Sequence, residues 1–275
     1  MVDSVTVWFT GSAHIELPAG RWLKSPDADE VRLKHDGLGN FKAEAELPKL
    51  LWGHNGRLLT NQDELDQSVE QFRSHLLSKV EFSSWEFKRV DLCWHFRTRA
   101  TDVILAHQWL RFPGVRSLPS LLYGGKQISW RGGKLGLKFY DKAKAIGDSG
   151  SVLRVELRLA GAQLRKRIDA NAPLKFDELY NVFRAEVLKL SPLELPEARK
   201  HSFAEIFANL QPEVRSQALL DYRQGRTSRA VREFDRRVSG ACLRRIEWNW
   251  RDILPADNPP PPVNVEPRNR RQNET

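Results

Sequence analysis

Cysteine is nearly absent from this chain, long apolar runs are missing, and acidic residues are outnumbered, 35 against 44 lysines and arginines. Cys93 and Cys242 are the only cysteines. They lie too far apart in sequence to form a disulfide framework or a thiolate metal cage, and a reducing cytoplasm is the expected compartment. No stretch approaches the ~20 consecutive apolar residues that span a bilayer. Met1 to Val5 shows no basic region followed by an apolar run, so neither a secretory signal nor membrane residence is expected.

What the chain does contain is charge and aromatic bulk. Nine tryptophans, thirteen phenylalanines and 40% hydrophobic residues are enough for a sizeable core. A net charge of +9 favours a polyanionic partner, because lysine and arginine neutralise phosphates and release their condensed counterions. At 275 residues, one large domain with an appendage or two domains is expected.

The most informative stretch is Arg89 to Phe96, which alternates strictly. As a strand it sends Val90, Leu92, Trp94 and Phe96 to one face and Arg89, Asp91, Cys93 and His95 to the other. Lys134 to Lys142 and Val152 to Leu159 repeat the design. With their apolar faces in register, Asp91, His95, Tyr140 and Glu156 share one side, together with Lys138, Lys142, Arg154 and Arg158. That side is the expected active site.

Two readings of it stand side by side. Asp91 and Glu156 form a carboxylate pair suited to Mg²⁺ or Mn²⁺, with His95 as third ligand. Asp91 and His95 are roughly 13 Å apart along a regular strand, however, so both reach one ion only through twist, a bulge or a bridging water, or else one of them supports a ligand from behind. That leaves Asp91 with Glu156 as the safer pair. The alternative is a solvated face on which Asp91 pairs with Arg89 or Arg154 and Glu156 with Arg158. Tyr140, flanked by Lys138 and Lys142, is a candidate nucleophile toward a phosphodiester, since cations lower the cost of forming a phenolate.

Around this centre the pattern predicts an opening strand at Val5–Thr10 and a hairpin of residues 30–35 and 41–47 turning at Asp36-Gly37 and Gly39-Asn40. A helix capped by Asn61 and Glu64 follows, with Leu65, Val69, Phe72, Leu76 and Val80 on one stripe. Thr101 to Leu110 reads as a second helix, and residues 121–126 and 127–131 as short strands. Helices are expected at 163–168 and 176–190. The division that results is an α+β domain at 1–165, an antiparallel sheet backed by helices; a helical basic region at 166–254; and a proline-rich tail at 255–275, expected to be disordered. Arg229, Arg232 and Arg236 in the second region, with Arg89, Arg154 and Arg158 on the sheet, are the candidate DNA contacts.

Leu47 to Asn55 (LPKLLWGHN), the capped helix, Arg89 to Phe96 (RVDLCWHF), Lys138 to Lys142 (KFYDK) and Leu153 to Leu159 (LRVELRL) resemble, in order and spacing, the replication initiators of filamentous phages, the gene II replication protein family. The resemblance covers most of residues 1 to 165. It implies a metal-dependent endonuclease and strand transferase that nicks one strand at an origin, holds a tyrosyl 5′-phosphate, and later rejoins the strand. Asp91 and Glu156 match the family's acidic positions and Tyr140 the tyrosine of its Tyr-Asp-Lys motif. The chain departs from the pattern at Ala143-Lys144-Ala145, where an acidic residue is expected. In related plasmid initiators the nucleophile lies upstream of this motif, which keeps Tyr123 as a competitor. The resemblance also implies single- and double-stranded origin DNA and the host replication helicase and polymerase as partners, in the cytoplasm of a bacterial host. A DNA-binding protein of the same fold without catalysis is the alternative.

Overall fold

Period-two alternation becomes a nine-stranded, wholly antiparallel sheet in the computed structural model. The structure describes residues 1–24, 31–107, 110–115, 120–123, 126–145, 151–192, 250–255, 259–261, 263 and 264. The strands and helices in chain order are β1 (Val2–Thr10), β2 (Ser12–Ala13), β3 (Leu23–Lys24), β4 (Val31–His35), β5 (Asn40–Glu46), α1 (Leu47–Trp52), α2 (Gln62–Leu77), β6 (Val80–Glu81), β7 (Glu86–Arg97) and α3 (Ala100–Ala106). They continue with β8 (Leu110–Arg111), β9 (Ser120–Leu122), β10 (Gln127–Arg131), β11 (Leu135–Asp141), α4 (Lys142–Ala145), β12 (Val152–Ala160), α5 (Gly161–Arg165), α6 (Phe176–Val187), β13 (Ser191–Pro192) and a short helix at Trp250–Ile253. The sheet order is β3-β4-β5-β1-β7-β12-β11-β10-β9, so the stretch at Arg89 to Phe96 lies in the central strand.

Local chemistry explains the edges of these elements. Gly37 and Gly39 take φ of 86° and 82° in the β4–β5 hairpin, a region that a Cβ disfavours. The Asp36 carboxylate accepts from the Leu38 and Asn40 amides and closes that turn. Asn61 Oδ1 accepts from the Glu64 amide at 2.9 Å and starts α2, while Glu64 reaches back to Thr60. The helix stripe Leu65, Phe72 and Leu76 is buried.

Three local expectations are corrected. The α2 helix stops at Leu77, and Val80 pairs with Ala13 in a strand instead of prolonging the stripe. Helix α3 starts from Arg99 without a side-chain cap and ends at Ala106, and Leu110 pairs with Pro192. Lys142 does not continue β11; it opens the one-turn α4.

One face of the sheet carries the core. Val90, Leu92, Trp94, Leu137, Phe139, Leu153, Val155 and Leu157 are buried there, and α6 lays Leu179, Tyr180 and Phe183 into the same core. The Trp94 and Tyr180 rings lie 5.7 Å apart. The core therefore runs on past residue 165 through Ile168, α6 and the segment from Trp250 to Leu254, with Phe183, Trp250 and Leu254 all buried in it. Of the proline-rich tail, residues 259–261, 263 and 264 are placed, with Val263 packed against Ala143 and Val152. The basic stretch with Arg229, Arg232 and Arg236 lies outside the described residues. Among the described residues no helix is long and apolar enough to cross a membrane.

Candidate functional site

The opposite face of the central strands is charged, and its geometry follows from register. In the β7–β12 pair, His95 faces Arg154, Cys93 faces Glu156 and Asp91 faces Arg158. In the β11–β12 pair, Tyr140 faces Arg154, Lys138 faces Glu156 and Gly136 faces Arg158. Three rows of polar side chains therefore cross the strands.

Arg154 occupies the centre of the first row and is fully buried. Its guanidinium pairs with Asp3, donates to the Asn55 carbonyl at 3.2 Å and to His95 Nε2 at 3.3 Å, and lies 3.7 Å from Glu156. Burial alone weakens a cation, but Asp3 beside it keeps the guanidinium charged, and Arg154 in turn holds the Asp3 carboxyl below its ordinary range against the effect of burial. Asp3 reaches this face through a bulge. Val2 pairs with Leu92 and Ser4 with Asp91, so β1 carries an extra residue between them. By simple alternation Asp3 belongs with the inward Val5 and Val7. A carboxylate at a core parity was the one signal in the sequence that β1 is irregular.

His95 is buried, and both its nitrogens are engaged. Nδ1 lies 2.8 Å from the Val263 carbonyl, which only accepts, so Nδ1 carries the proton and Nε2 receives the Arg154 N–H. Burial, followed by the Arg154 charge, pushes the His95 pKa well below its usual value, and the ring is neutral. Lys142 donates to Asn55 Oδ1 at 2.7 Å, and burial with the neighbouring Arg154 lowers its pKa to about 8. Asn55, from the turn after α1, thus closes this end of the face.

Tyr140 stands beside this cluster. Its hydroxyl donates to Glu156 Oε2 at 3.5 Å, Lys138 Nζ lies 4.7 Å from its ring centroid, and Arg154 Cζ lies 5.9 Å away. Burial raises the Tyr140 pKa, and the nearby Arg154 charge only partly opposes this. Glu156 also pairs with Lys138 at 2.9 Å. Tyr123 lies on the turn after β9, with its side chain 74% exposed and its backbone at φ 54°, a strained conformation for a residue with a Cβ. The two candidate nucleophiles therefore occupy opposite environments.

The expected metal ligands lie on one face without forming a donor set. Asp91 receives two bonds from Arg158, at 3.0 and 3.1 Å, one from Ser4 Oγ at 3.0 Å, and lies 3.5 Å from Arg89. Glu156 holds Lys138, and His95 is saturated by Arg154 and Val263. Among the described residues no group of three or more His, Cys, Asp or Glu side chains is placed to hold a metal ion. Every carboxylate of the expected set already has a cation, so as arranged the set does not fit Mg²⁺ or Mn²⁺, whose affinity depends on unneutralised oxygens. Titration with Mn²⁺, followed by loss of the free-ion electron paramagnetic resonance signal, is expected to reveal no saturable micromolar site. A single tight site abolished by Asp91→Asn would restore the carboxylates as ligands.

Beyond Glu156 the face opens into a cleft of about 400 Å³ lined by Ser129, Arg131, Gly136, Lys138, Glu156 and Arg158, among others. Asp3, Ser4, Asn55 and Arg131 are site residues that periodicity alone did not single out. A cleft of similar size, about 430 Å³, lies between α2 and the Trp85 region, and none of the expected site residues line it.

No protein-family model and no curated protein matches the sequence. Among solved structures the chain is similar to a rolling circle replication initiator protein from Geobacillus stearothermophilus, with a TM-score of 0.37 and 9% identity over 73% of this chain and 89% of that one.

Proposed function

We propose that this protein starts rolling-circle replication by nicking one strand of origin DNA through a tyrosyl phosphodiester and rejoining the strand afterwards. The observation that carries the reading is the Tyr140 hydroxyl 3.5 Å from the Glu156 carboxylate on a face that also carries Lys138, Arg154 and Arg158, with Lys142 at its end bonded to Asn55. A nucleophile beside a base and surrounded by cations suits attack on a phosphodiester. The gene II-like motifs supply the reaction class.

In this mechanism Tyr140 Oη attacks phosphorus, and the new O–P bond forms as the bond to the preceding 3′-oxygen breaks. The raised Tyr140 pKa means that no phenolate stands ready, so the phenol proton passes to Glu156 in step with the attack. Lys138, paired with Glu156, donates a proton to the departing 3′-oxygen. The products are a 5′-phosphotyrosine and a 3′-hydroxyl from which a polymerase extends; rejoining is the reverse. Arg154 and Lys142 supply fixed positive charge, and no step is routed through a metal ion. Arg229, Arg232 and Arg236 hold the duplex backbone, the host helicase and polymerase act on the opened strand, and the reaction belongs to the cytoplasm of a bacterial host.

A second reading, a DNA-binding replication or regulatory protein without catalysis, is favoured by one observation: the Tyr140 hydroxyl is bonded to a carboxylate that already pairs with Lys138 and Arg154. Intact-mass and peptide mass spectrometry after incubation with single-stranded DNA carrying the replicon's own origin separates the two. An oligonucleotide adduct on Tyr140, lost in Tyr140→Phe and in Glu156→Gln, is the expected result. An adduct on Tyr123 keeps the function and moves the nucleophile to the exposed turn. Retained DNA binding with neither adduct nor nick selects the second reading.

A further inference from the structure

We propose that the open sheet face around Trp8 and Trp22 is a stacking platform for unpaired bases of single-stranded DNA. The identity of the ligand rests on the function proposed above; the exposure of the two rings and the charge around them do not. Trp8 lies on the outward side of β1, between the buried Val7 and Phe9, and is 52% exposed. Trp22, just before β3, is 39% exposed. Neither ring belongs to the hydrophobic core.

Register sets the two tryptophans at the ends of one basic row. Trp8 pairs with Lys42, Lys42 pairs with Lys34, and Trp22 precedes the Leu23–Leu33 pair, which places it beside Lys34. The two tryptophan backbones therefore stand three strand spacings apart, roughly 14 Å. Lys34 and Lys42 are like charges directly opposite one another, a pairing that a sheet disfavours. Lys42 Nζ lies 4.8 Å from the Trp22 ring centroid, and Lys88 Nζ lies 5.2 Å from that of Trp8. Lys88 reaches Trp8 through an irregularity in β7: Thr6 pairs with Arg89 and Val7 with Phe87, so Lys88 is an extra residue between them. Each ring thus has a lysine against it and still exposes a large part of its surface.

Lys42 and Lys88 each share a carboxylate, Glu44 and Glu86, so stacking on the rings carries the contact and not their charge. Among the described residues Lys34 has no ion pair and is the cation left for a phosphate. Every unpaired base offers a π face, so exposed indoles hold a single strand whatever its sequence. Bases inside a duplex offer none, which makes the platform selective. From Trp8 the outward side of β1 runs through Thr6 to Ser4, whose hydroxyl donates to Asp91. A strand lying on the platform therefore leads to the charged face that holds Tyr140.

Fluorescence anisotropy of a labelled twelve-nucleotide oligothymidylate, titrated with the full chain at several KCl concentrations, tests this. Trp8→Ala and Trp22→Ala are each expected to weaken binding about tenfold, the loss of one stacked base, with the slope of log affinity against log salt unchanged. Lys34→Gln should instead reduce that slope by about 0.7, one phosphate contact on a single strand. Trp8→Phe keeps a ring and should retain most of the affinity. A blunt-ended duplex of the same length should bind Trp8→Ala as well as wild type, which a misfolded variant would not do. Wild-type affinity for the oligothymidylate in the double variant Trp8→Ala, Trp22→Ala overturns the platform, as does an equal loss for duplex and single strand in folded variants. So does wild-type protein that binds no oligonucleotide and dimerises in sedimentation only with both tryptophans present, which would assign the face to a second copy. Tryptophan-dependent binding without any tyrosine adduct keeps the platform and removes the nicking chemistry.

Discussion

Arg154→Met is expected to lower the unfolding free energy by about 3–5 kcal/mol, the usual cost of removing one member of a buried ion pair. Arg154 is fully buried and touches four partners from four separate stretches: Asp3, Asn55, His95 and Glu156. Methionine fills much of the volume but leaves the Asp3 carboxylate without its cation and the Asn55 carbonyl without a donor. Much of the loss should come from Asp3, so adding Asp3→Asn to Arg154→Met should recover part of it. Urea denaturation of the two single variants and the double variant gives the coupling directly. Additive losses would show that Asp3 and Arg154 do not depend on one another, and the account of the buried centre would fall.

Mild acid should produce the second large effect, through His107. This side chain is buried between Phe139 and Trp250, its Nδ1 bonded to the Val103 carbonyl at 2.7 Å and its Nε2 accepting from Trp250 Nε1 at 2.9 Å. Burial lowers its pKa from 6.5 to about 4. The unfolded chain takes up a proton below about 6.5 that the folded chain refuses until about 4. Stability is thus fully present above the upper value and declines as pH falls through this window. The gap corresponds to about 3 kcal/mol. His95, also held neutral by burial and Arg154, acts in the same direction. Urea unfolding at pH 7.5 and pH 4.5 should differ by about that amount more in the wild type than in His107→Gln. An equal acid sensitivity in both would remove His107 as the cause. The consequence is architectural, since Trp250 stitches the far end of the chain to α3 and β11 through this ring.

What alternation could read was which side chains share a face, and not their pairings. Alternation alone put Asp91, His95, Glu156 and Tyr140 on one side, and the β7–β12 and β11–β12 registers agree. Alternation left a metal pair and an ion-paired face side by side; register sets Asp91 against Arg158 and Lys138 against Glu156, so opposite charges meet across the strands at the shortest distances. Coulomb attraction between direct neighbours then satisfies each carboxylate locally.

What the amino-acid sequence determined by itself is therefore local: strand periodicity, the glycine turn at 37–39, the Asn61 cap and the apolar stripe of α6, each of which depends on residues within a few positions of one another. Tertiary structure alone decided that Lys142 begins a helical turn, that a bulge turns Asp3 toward Arg154, and that Asn55 and Val263 close over the same end of the face. Those outcomes arise between segments far apart in the chain. A buried charge selects its partners by the total cost of leaving water, and no local pattern encodes that cost.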